Sequence, residues 1–411
     1  MEYGLIGEHL PHSFSKEIHE RLGDYEYVLH EVAKEELDSF MRSADFKGIN
    51  VTIPYKQSVI PYLHEISERA GSIGAVNAIT NKNGLLYGDN TDFGGMQALI
   101  RDHMGLDLSG KKVVILGTGG TSKTARAVAE ALGAAQVLRV SRSGNEGSIT
   151  YSELSASHRD ADLIINATPC GMFPKCFDAP VSIADFPALS GVVDVIYNPL
   201  RTRLVLEARS RGIKAEGGLY MLVGQAVLAA EIFMDKKLPD GTIDEVYKEI
   251  FSSKENIVLT GMPGGGKSTI GNALAGLTGR EVIDTDAEIV KSAGMPITEI
   301  FSRFGESYFR DLETEVIKQA SQRSGCIIST GGGAILRDEN IQALKMNGKI
   351  FFLDRDPSEL RPSDDRPLSD TGEKPKALYR QRLPIYTGTA DATVPVSGSP
   401  EDTAKAILGG M

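Results

Sequence analysis

The sequence predicts an α/β protein with more than one domain, in which two nucleotide-binding folds follow one another. The chain has 411 residues, more than one hydrophobic core usually organises. Short apolar runs alternate with amphipathic helical segments, a pattern typical of α/β layers. Two of these runs, 111–116 and 257–260, end in glycine-rich turns that lead into a helical pattern. Such strand–turn–helix units bind phosphate groups at the helix amino terminus.

The composition argues against some classes of partner. The formal net charge is −11, whereas association with nucleic acids or anionic membranes depends on positive fields. We therefore expect no nucleic-acid partner and no membrane partner. We also expect no secretory signal and no bilayer-spanning segment, because no run is sufficiently long and apolar. The three cysteines have no metal-binding or redox spacing, as in a reduced, cytoplasmic protein. The oligomeric state stays open.

Residues 1–105 form the first predicted domain. Strands are expected at 3–7, 26–30, 48–52 and 75–80, and helices at 14–22 and 34–42. Polar clusters occupy the connections. Ser13 and Ser15 open a helix, where serine is equally well explained as a cap. Pro54 is expected to start a helix that leaves Lys56 at the sheet edge. Taken alone, Lys56 is a surface lysine and Asp92 a helix cap.

Four motifs in this domain together resemble the substrate domain of shikimate dehydrogenase. They are S-x-S at 13–15, N-V-T-x-P-x-K at 50–56, G-A-V-N at 74–77 and N-T-D at 90–92. The resemblance implies that Ser13 and Ser15 hold the substrate carboxylate. It also implies that Thr52, Asn77 and Asp92 bind the ring hydroxyls.

By the same resemblance, Lys56 and Asp92 are the catalytic pair. Reducing a ring ketone requires a hydride from one side and a proton for the developing alkoxide. A lysine ammonium can donate that proton and stabilise the negative charge, while an adjacent carboxylate orients it. One departure from the family is Lys16, which stands where proline is usual.

The second predicted domain, 106–218, begins as a dinucleotide-binding fold, although its glycine spacing differs from the usual G-x-G-x-x-G. The turn resembles the G-A-G-G-A variant of the dehydrogenase family, with threonine in place of both alanines. The candidate cofactor-binding residues of this turn are Gly117, Thr118, Gly119, Gly120 and Thr121.

The next predicted strand, 135–140, leads into Ser141 and Arg142, two further candidate cofactor-binding residues. An acidic residue at this point accepts from the ribose 2′-hydroxyl of NAD, whereas an arginine accommodates a 2′-phosphate. Arg142 therefore indicates NADP. The alternative is a solvated loop arginine.

Later motifs extend the resemblance to shikimate dehydrogenase. N-A-T-x-x-G-M lies at 166–172, and Y-x-P-x-x-T begins at Tyr197. A long apolar helix follows Gly218. By resemblance, Tyr197 and Gln225 approach the substrate, and Gly218 lies near the nicotinamide. A glutamine on such a helix is otherwise a plain polar-face residue.

The third predicted domain, 257–411, starts with the phosphate-binding loop Gly261-x-x-x-x-Gly266-Lys267-Ser268. Its glycines let backbone N–H groups turn around an anion. Lys267 would reach the β- and γ-phosphates, and Ser268 would hold Mg²⁺. The alternative is a glycine-rich turn with a chance lysine. The nucleotide-binding candidates are Gly264, Gly265, Gly266, Lys267, Ser268 and Thr269.

Motifs after this loop resemble shikimate kinase. They are D-x-D at 284–286, F-R-x-x-E at 309–313, G-G-G at 331–333, R-P-L at 366–368 and R-x-x-x-Y at 382–386. By resemblance, Asp284 supports Mg²⁺, and Asp286 binds substrate hydroxyls and orients the attacking one. The alternative for D-x-D is an ordinary helix cap. Arg310 and Arg382 suit fork-like pairing with a carboxylate, and Gly332 allows close approach to the ring.

Arg361 and Arg366 lie in a proline- and aspartate-rich loop that suits a mobile cover. By resemblance, Arg366 neutralises charge on the transferring phosphoryl group, and Arg361 stacks on adenine. Two departures affect the adenine contacts. The loop at 357–367 is short for the family, and 397–399 lacks an arginine often found before the last helix.

The two resemblances together imply a bifunctional enzyme with NADP, ATP and Mg²⁺ as cofactors. It would reduce 3-dehydroshikimate to shikimate with NADPH and phosphorylate shikimate to shikimate 3-phosphate with ATP. One alternative is a quinate/shikimate dehydrogenase using NAD in the first half, and another is a non-catalytic module in one half. The implied fold is an α/β substrate domain (1–105, completed by helices at 219–250), a Rossmann-like NADP domain (106–218), a linker (251–256) and a nucleoside monophosphate kinase-like P-loop domain with a parallel sheet (257–411).

Overall fold

The computed structural model of the protein describes residues 1–10, 13–145, 147–360 and 373–411. These residues divide into two compact units, Met1–Ile250 and Phe251–Met411, called unit 1 and unit 2 below. Helices and mainly parallel strands build both units, so the predicted α/β class is confirmed.

The first sheet of unit 1 is mixed. Its strands are β1 (Tyr3–Gly7), β2 (Tyr27–Glu31), β3 (Gly48–Val51), β4 (Glu65–Ile66), β5 (Ala78–Lys82) and β6 (Leu85–Asp89). The accompanying helices are α1 (Ser15–Leu22), α2 (Leu37–Ser43), α3 (Glu68–Ile73) and α4 (Thr91–Gln97), which a π-helical segment, Ala98–His103, continues. The strand order is β2-β1-β3-β5-β6-β4. Strands β1, β2 and β3 are parallel, whereas β5 is antiparallel to β3 and β6.

One local expectation for this sheet is wrong, and one of its strands was not predicted. No helix starts at Pro54; a turn follows β3 and reaches a short 3₁₀ segment, Ile60–Tyr62. This turn is held by Tyr55, which is buried and donates its hydroxyl to the Val32 carbonyl at 2.6 Å. Strand β6 was not predicted, although Asn83 and Gly84 carry the positive φ angles of a hairpin turn, 57° and 85°.

The second sheet of unit 1 is parallel. Its strands are β7 (Lys112–Leu116), β8 (Gln136–Ser141), β9 (Ile149–Thr150), β10 (Leu163–Asn166), β11 (Gly191–Asp194) and β12 (Lys214–Glu216). Its helices are α5 (Gly120–Ala131), α6 (Tyr151–Ser157) and α7 (Arg203–Ser210). The order β12-β11-β10-β7-β8-β9 is that of dinucleotide-binding folds. Strands β8 and β9 are added on one side of β7, and β10, β11 and β12 on the other, so the strand order switches between β7 and β10. Ligands bind in the crevice at such a switch point.

Helix α8 (Leu219–Met234) packs on α1 and α4, and α9 (Thr242–Lys254) follows it. The contact between α4 and α8 is between backbones. A Cβ atom on Gly95 would lie 2.6 Å from the Met221 carbonyl oxygen and 2.8 Å from the Gln225 nitrogen. On the other helix, a Cβ atom on Gly224 would lie 3.1 Å from the Gly95 Cα. Glycine is therefore required where the two helices cross.

Unit 2 contains a parallel sheet with helices on it. The strands are β13 (Asn256–Thr260), β14 (Val282–Asp284), β15 (Ile327–Ser329), β16 (Gly348–Asp354) and β17 (Ala392–Pro395), in the order β14-β15-β13-β16-β17. The helices are α10 (Lys267–Thr278), α11 (Thr285–Ala293), α12 (Ile297–Ser321), α13 (Asp338–Asn347), α14 (Glu373–Thr389) and α15 (Pro400–Gly409). The central strand β13 carries the phosphate-binding loop at its carboxyl end.

Most of the segment predicted as a linker, 251–256, is helical. Helix α9 continues to Lys254, and β13 begins at Asn256. The carboxyl end of the helix is stabilised because the Arg280 guanidinium donates to the carbonyls of Ser252 and Glu255, at 2.6 and 2.7 Å. These contacts satisfy carbonyl groups that a helix end otherwise leaves open.

Candidate functional sites

Lys56 and Asp92 form a largely buried ion pair in unit 1. Lys56 lies in the turn after β3, and Asp92 lies in the first turn of α4. The Lys56 Nζ is 2.5 Å from Asp92 Oδ2, and the two side chains are 15% and 7% exposed. The cap of α4 is Asn90, which accepts from the Phe93 amide at 3.1 Å. The alternative interpretation of Asp92 as the cap is therefore wrong.

Asn77 joins this pair to helix α8. Its Nδ2 donates to Asp92 Oδ1 at 3.0 Å and lies 3.3 Å from Oε1 of Gln225. Thr91, which the sequence analysis did not select, fixes the Asn77 amide, because the Thr91 backbone N–H donates to Asn77 Oδ1 at 2.7 Å. The structure thus brings together Lys56, Asp92, Asn77 and Gln225 from four separate segments.

The predicted carboxylate-binding serines lie near Tyr197. The rings of Tyr197 and Phe14, which stands between the two serines, are 5.2 Å apart. Burial raises the pKa of Tyr197, and a hydrogen bond with Ser13 opposes that rise. The Ser13 hydroxyl also accepts from the Ser15 amide at 3.3 Å, but the cap position of α1 is Phe14, with no side-chain cap hydrogen bond, so neither serine caps the helix. Thr52, at the end of β3, is half-buried.

The glycine-rich turn after β7 lies at the switch point of the second sheet. Gly117 has a φ of 110°, and a Cβ atom on it would lie 3.0 Å from the Ala167 carbonyl oxygen in the loop after β10. Helix α5 begins after Gly119 with no side-chain cap hydrogen bond, so no capping side chain satisfies its first amides. A Cβ atom on Gly120 would lie 3.8 Å from Lys56, which places the turn beside the ion pair. Thr118 and Thr121 flank these glycines and are half-buried.

Arg142 lies directly after β8 and is exposed. Within the described parts of the chain it has no ion-pair partner. The preceding Ser141 holds the loop, because its hydroxyl accepts from the Gly144 amide at 3.0 Å and lies 2.8 Å from the Ser148 hydroxyl. The arrangement leaves the Arg142 guanidinium available to an anionic ligand.

Asp194 organises two loops at this crevice and was missed in the sequence analysis. It is fully buried at the end of β11 and accepts from the Thr202 hydroxyl (2.7 Å), the Ile196 amide (3.1 Å) and the Asn166 side chain (3.1 Å). Burial raises its pKa to about 6 despite these three donors. The only sign of this role in the sequence is an acidic residue at the end of an apolar strand.

Gly218 begins helix α8, and a Cβ atom there would overlap the Val195 carbonyl oxygen. Any other residue at 218 would have to displace the β11 loop. The chain segment that carries Tyr197 and the start of the helix that carries Gln225 are therefore packed directly together.

In unit 2, the loop after β13 has the conformation its glycines predict. The φ angles of Gly261, Gly264 and Gly266 are 150°, 73° and 92°, which other residues rarely adopt. Lys267 begins α10 and is buried, with its ammonium donating to the carbonyls of Gly261 and Met262 at 2.9 and 3.0 Å. Gly265 is buried inside the loop, whereas Thr269 is exposed.

Oxygen atoms suited to a hard cation gather beside this loop. The Ser268 hydroxyl donates to Asp284 Oδ2 at 2.6 Å and lies 3.4 Å from the Ser329 hydroxyl. The other Asp284 oxygen accepts from the amides of Asp286 and Ala287, so Asp284 also caps α11. The described residues hold no group of three or more Asp, Glu, His or Cys side chains that could by itself bind a metal ion. A Mg²⁺ ion that is bound together with nucleotide phosphates usually has only one or two ligands from the protein. The Ser268 hydroxyl and the Asp284 carboxylate therefore fit that ion.

A second polar pocket surrounds the glycines at 331–333. A Cβ atom on Gly331 would lie 2.7 Å from Asp286 Oδ1 and 2.8 Å from Glu313 Oε1. A Cβ atom on Gly333 would overlap the Arg310 guanidinium. Arg310 is buried and donates to Glu313 at 2.7 Å. Burial raises the pKa of Glu313, and the charge of Arg310 opposes that rise.

Arg382 closes this pocket from α14. Its guanidinium donates to the Gly332 carbonyl at 2.9 Å, and the Tyr386 hydroxyl donates to the same oxygen at 2.6 Å. The two predicted arginines, Arg310 and Arg382, are thus brought to one glycine segment. The candidates Arg361 and Arg366 lie outside the described residues.

Within the described parts of the chain, no helix combines the length and apolar character needed to cross a membrane.

Sequence comparisons give the same division of the chain. The model of the shikimate dehydrogenase substrate binding domain matches residues 5–79, and that of shikimate kinase matches residues 263–410. A shikimate dehydrogenase (NADP(+)) of Clostridium perfringens (strain SM101 / Type A) is 36% identical over 266 residues, covering 60% of this chain and 97% of that protein.

Solved structures agree with this assignment of unit 1. Shikimate dehydrogenase 1 from Peptoclostridium difficile is 37% identical, with a TM-score of 0.57, covering 61% of this chain and 98% of its own. The enzyme from Thermus thermophilus, solved with NADP(H) and shikimate, is 28% identical, with a TM-score of 0.54, covering 61% and 99%. The predicted fusion is confirmed: the chain belongs to the shikimate dehydrogenase family over its first part and carries a shikimate kinase domain after it, which makes it a bifunctional enzyme of the shikimate pathway.

Proposed function

We propose that unit 1 reduces 3-dehydroshikimate to shikimate with NADPH and that unit 2 phosphorylates shikimate to shikimate 3-phosphate with ATP. The observation that carries this proposal is that each unit sets a cluster of charged and polar side chains beside a glycine-rich turn. Lys56 lies next to Gly120 in unit 1. In unit 2, Asp284 contacts Ser268 and stands two residues from Asp286.

In the reduction, Lys56 donates the proton to the alkoxide that forms on the substrate. Asp92 holds the ammonium in place and accepts from a substrate hydroxyl. Asn77, Thr52 and Gln225 bind the remaining ring hydroxyls. On the opposite side of the substrate, its carboxylate is bound by Ser13, Ser15 and Tyr197. Hydroxyl donors suit this carboxylate because they fix its orientation by hydrogen bonds.

NADPH binds at the switch point of the second sheet. The turn from Gly117 to Thr121 holds the pyrophosphate on the first amides of α5. Ser141 and Arg142 hold the 2′-phosphate, and Gly218 lies near the nicotinamide. An acidic residue, which NAD-specific folds use for the ribose, is absent between Ser141 and Gly144. This supports NADP over the alternative of an NAD-dependent quinate/shikimate dehydrogenase.

In the phosphorylation, Lys267 and the amides from Gly264 to Thr269 hold the phosphate groups. Ser268 and Asp284 would hold Mg²⁺. Asp286 accepts from the attacking hydroxyl and orients it. The substrate carboxylate pairs with the guanidinium groups of Arg310 and Arg382, and Gly332 lets the ring approach the backbone. When bound, NADPH supplies the hydride, ATP supplies the phosphoryl group and Mg²⁺ neutralises phosphate charge.

The sequence-based roles of Arg361 and Arg366 remain part of the proposal, with Arg366 stabilising the transferring phosphoryl group. A cytoplasmic location is also proposed, in keeping with three unpaired cysteines. The alternative of a non-catalytic half is not favoured, because both units retain their charged candidates, and in unit 1 Lys56 and Asp92 form an ion pair.

A coupled assay tests the proposal. The purified chain is given 3-dehydroshikimate, NADPH and ATP, and both NADPH oxidation and shikimate 3-phosphate are measured. Lys56→Ala is expected to stop NADPH oxidation while leaving phosphorylation of added shikimate. Lys267→Ala is expected to do the reverse. The assignment of a site is wrong if its variant retains the wild-type rate of its own step.

A further inference from the structure

We propose that Arg355 is a further nucleotide-binding residue of unit 2 and contacts the phosphate chain; this inference rests on the proposed kinase activity. Arg355 directly follows β16, which pairs in parallel with β13, the strand that leads into the phosphate-binding loop. The carboxyl ends of neighbouring parallel strands lie at the same sheet edge, where α/β folds bind ligands. Arg355 therefore emerges at the edge that holds the loop.

The Arg355 guanidinium lies against the loop itself. A Cβ atom on Gly266 would be 3.6 Å from Arg355 Nη2 and 4.0 Å from its Cζ. Gly266 directly precedes Lys267, the first residue of α10, so it belongs to the backbone that cradles phosphate. A guanidinium at this distance is within reach of an anion held by the loop amides.

The charge of Arg355 is not neutralised within the described residues. Its sequence neighbours Asp354 and Asp356 are both acidic, yet neither pairs with it. Asp354 accepts from the Tyr379 hydroxyl at 2.8 Å, and Asp356 accepts from the Ser358 amide at 2.8 Å. The Arg355 Nε is buried and has no hydrogen-bond partner among those residues.

A buried N–H group without an acceptor is unfavourable, and native structures usually satisfy it. An acceptor supplied by a ligand would satisfy the Arg355 Nε. Guanidinium groups pair with phosphate oxygens through two parallel hydrogen bonds, which a half-buried arginine beside a phosphate-binding loop is suited to make. A phosphate oxygen of the nucleotide therefore fits both the charge and the open donor.

The test is the displacement of a fluorescent ADP analogue by ADP and by inorganic tripolyphosphate. Arg355→Gln is expected to weaken the binding of both by roughly 10- to 100-fold, and Arg355→Lys by less, because charge remains. The matched control is Arg323→Gln. Arg323 pairs with Glu281 at 2.6 Å. Glu281 directly precedes β14, so this ion pair lies at the amino ends of the strands, away from the phosphate-binding loop at their carboxyl ends. The Arg323→Gln variant is expected to bind ADP and tripolyphosphate with wild-type affinity.

Three results would overturn the inference. Wild-type affinity in Arg355→Gln would show that the arginine does not contact the nucleotide. A loss of ADP affinity without a loss of tripolyphosphate affinity would assign the contact to the base or sugar. An equal loss in Arg323→Gln would show a general effect on unit 2. If the wild-type chain binds no ADP, the kinase proposal fails as well, and the two failures are distinguishable.

Discussion

The two carboxylate oxygens of Asp92 have different partners. One lies 2.5 Å from the Lys56 ammonium, and the other accepts from the Asn77 amide at 3.0 Å. Because Asn77 is itself fixed by the Thr91 backbone, the Asp92 carboxylate has one orientation, and so does the ammonium that it holds. The pair is therefore ordered before any substrate enters.

Replacing Asp92 with asparagine should remove the charge and keep the shape. Because the Lys56 ammonium then loses the carboxylate that positions it, we expect kcat for NADPH oxidation with 3-dehydroshikimate to fall by about 10²- to 10⁴-fold, the usual contribution of positioned proton transfer. Phosphorylation of added shikimate should stay unchanged. The control is Asp38→Asn, which removes an exposed carboxylate paired with Arg42. A wild-type rate in Asp92→Asn would contradict the assignment.

Arg142 should determine the choice of dinucleotide. In Arg142→Ala we expect kcat/KM for NADPH to fall by about 10- to 100-fold, the effect of losing a charge-assisted hydrogen bond. The value for NADH should change little, because NADH has no 2′-phosphate. The control is Arg159→Ala, an exposed arginine that donates to the Ser155 carbonyl at 2.7 Å. Equal losses with both dinucleotides would rule out this role.

Gly333 should be essential to the kinase pocket, because an added methyl group would overlap the Arg310 guanidinium. We expect Gly333→Ala to lower kcat/KM for shikimate phosphorylation by about 100-fold, the cost of displacing a positioning group by about 1 Å. NADPH oxidation should be unaffected. Gly276→Ala is the control, since a Cβ atom there meets no atom within 4 Å. A wild-type rate of phosphorylation in Gly333→Ala would show that the reaction does not depend on the observed position of the Arg310 guanidinium.

Asp194 should make the stability of unit 1 depend on pH. Its folded pKa is about 6, against 3.8 for the ordinary group, so the folded state binds more protons between these values. The free energy of unfolding therefore falls as pH rises from about 4 to 6, by ~3 kcal/mol from this group. Asp194→Asn removes the titration and keeps most hydrogen bonds, since the Thr202 hydroxyl can accept from the new amide.

The measurement for Asp194 is urea unfolding at pH 5 and pH 7.5, followed by circular dichroism. Residual NADPH oxidation identifies the transition of unit 1. The difference between the two pH values should be smaller in Asp194→Asn than in the wild type. Asp194→Ala serves as the comparison, because it loses all three hydrogen bonds and should be destabilised at both pH values. An unchanged pH difference in Asp194→Asn would refute the prediction.

Local signals made much of the fold and many site residues predictable. Gly261, Gly266 and Lys267 lie within one short turn, so their spacing alone indicates the loop. The same holds for the strands at 111–116 and 257–260, whose apolar runs are continuous. The Asn83-Gly84 pair is a typical hairpin-turn signal as well, although no strand was predicted after it.

Other features depend on contacts that sequence spacing does not reveal. Asp194 is recognisable only after Asn166 and Thr202 have been brought to it by separate segments. Thr91, in helix α4, acts through the Asn77 side chain, which comes from the segment before β5. Helix α9 runs through the predicted linker because Arg280, far along the chain, binds its last carbonyls. Tertiary contacts decided each of these cases over local preference.

The glycine crossing of α4 and α8 has a consequence for how the proposed reduction site can vary. With Gly95 and Gly224 in contact, the separation of the two helices is set by the van der Waals radii of main-chain atoms. No choice of apolar side chain at the crossing can bring Asp92 nearer to Gln225 or move them apart. Changes in the substrate that this pocket accepts must therefore come from the loops around it, whose side chains are free to differ in size.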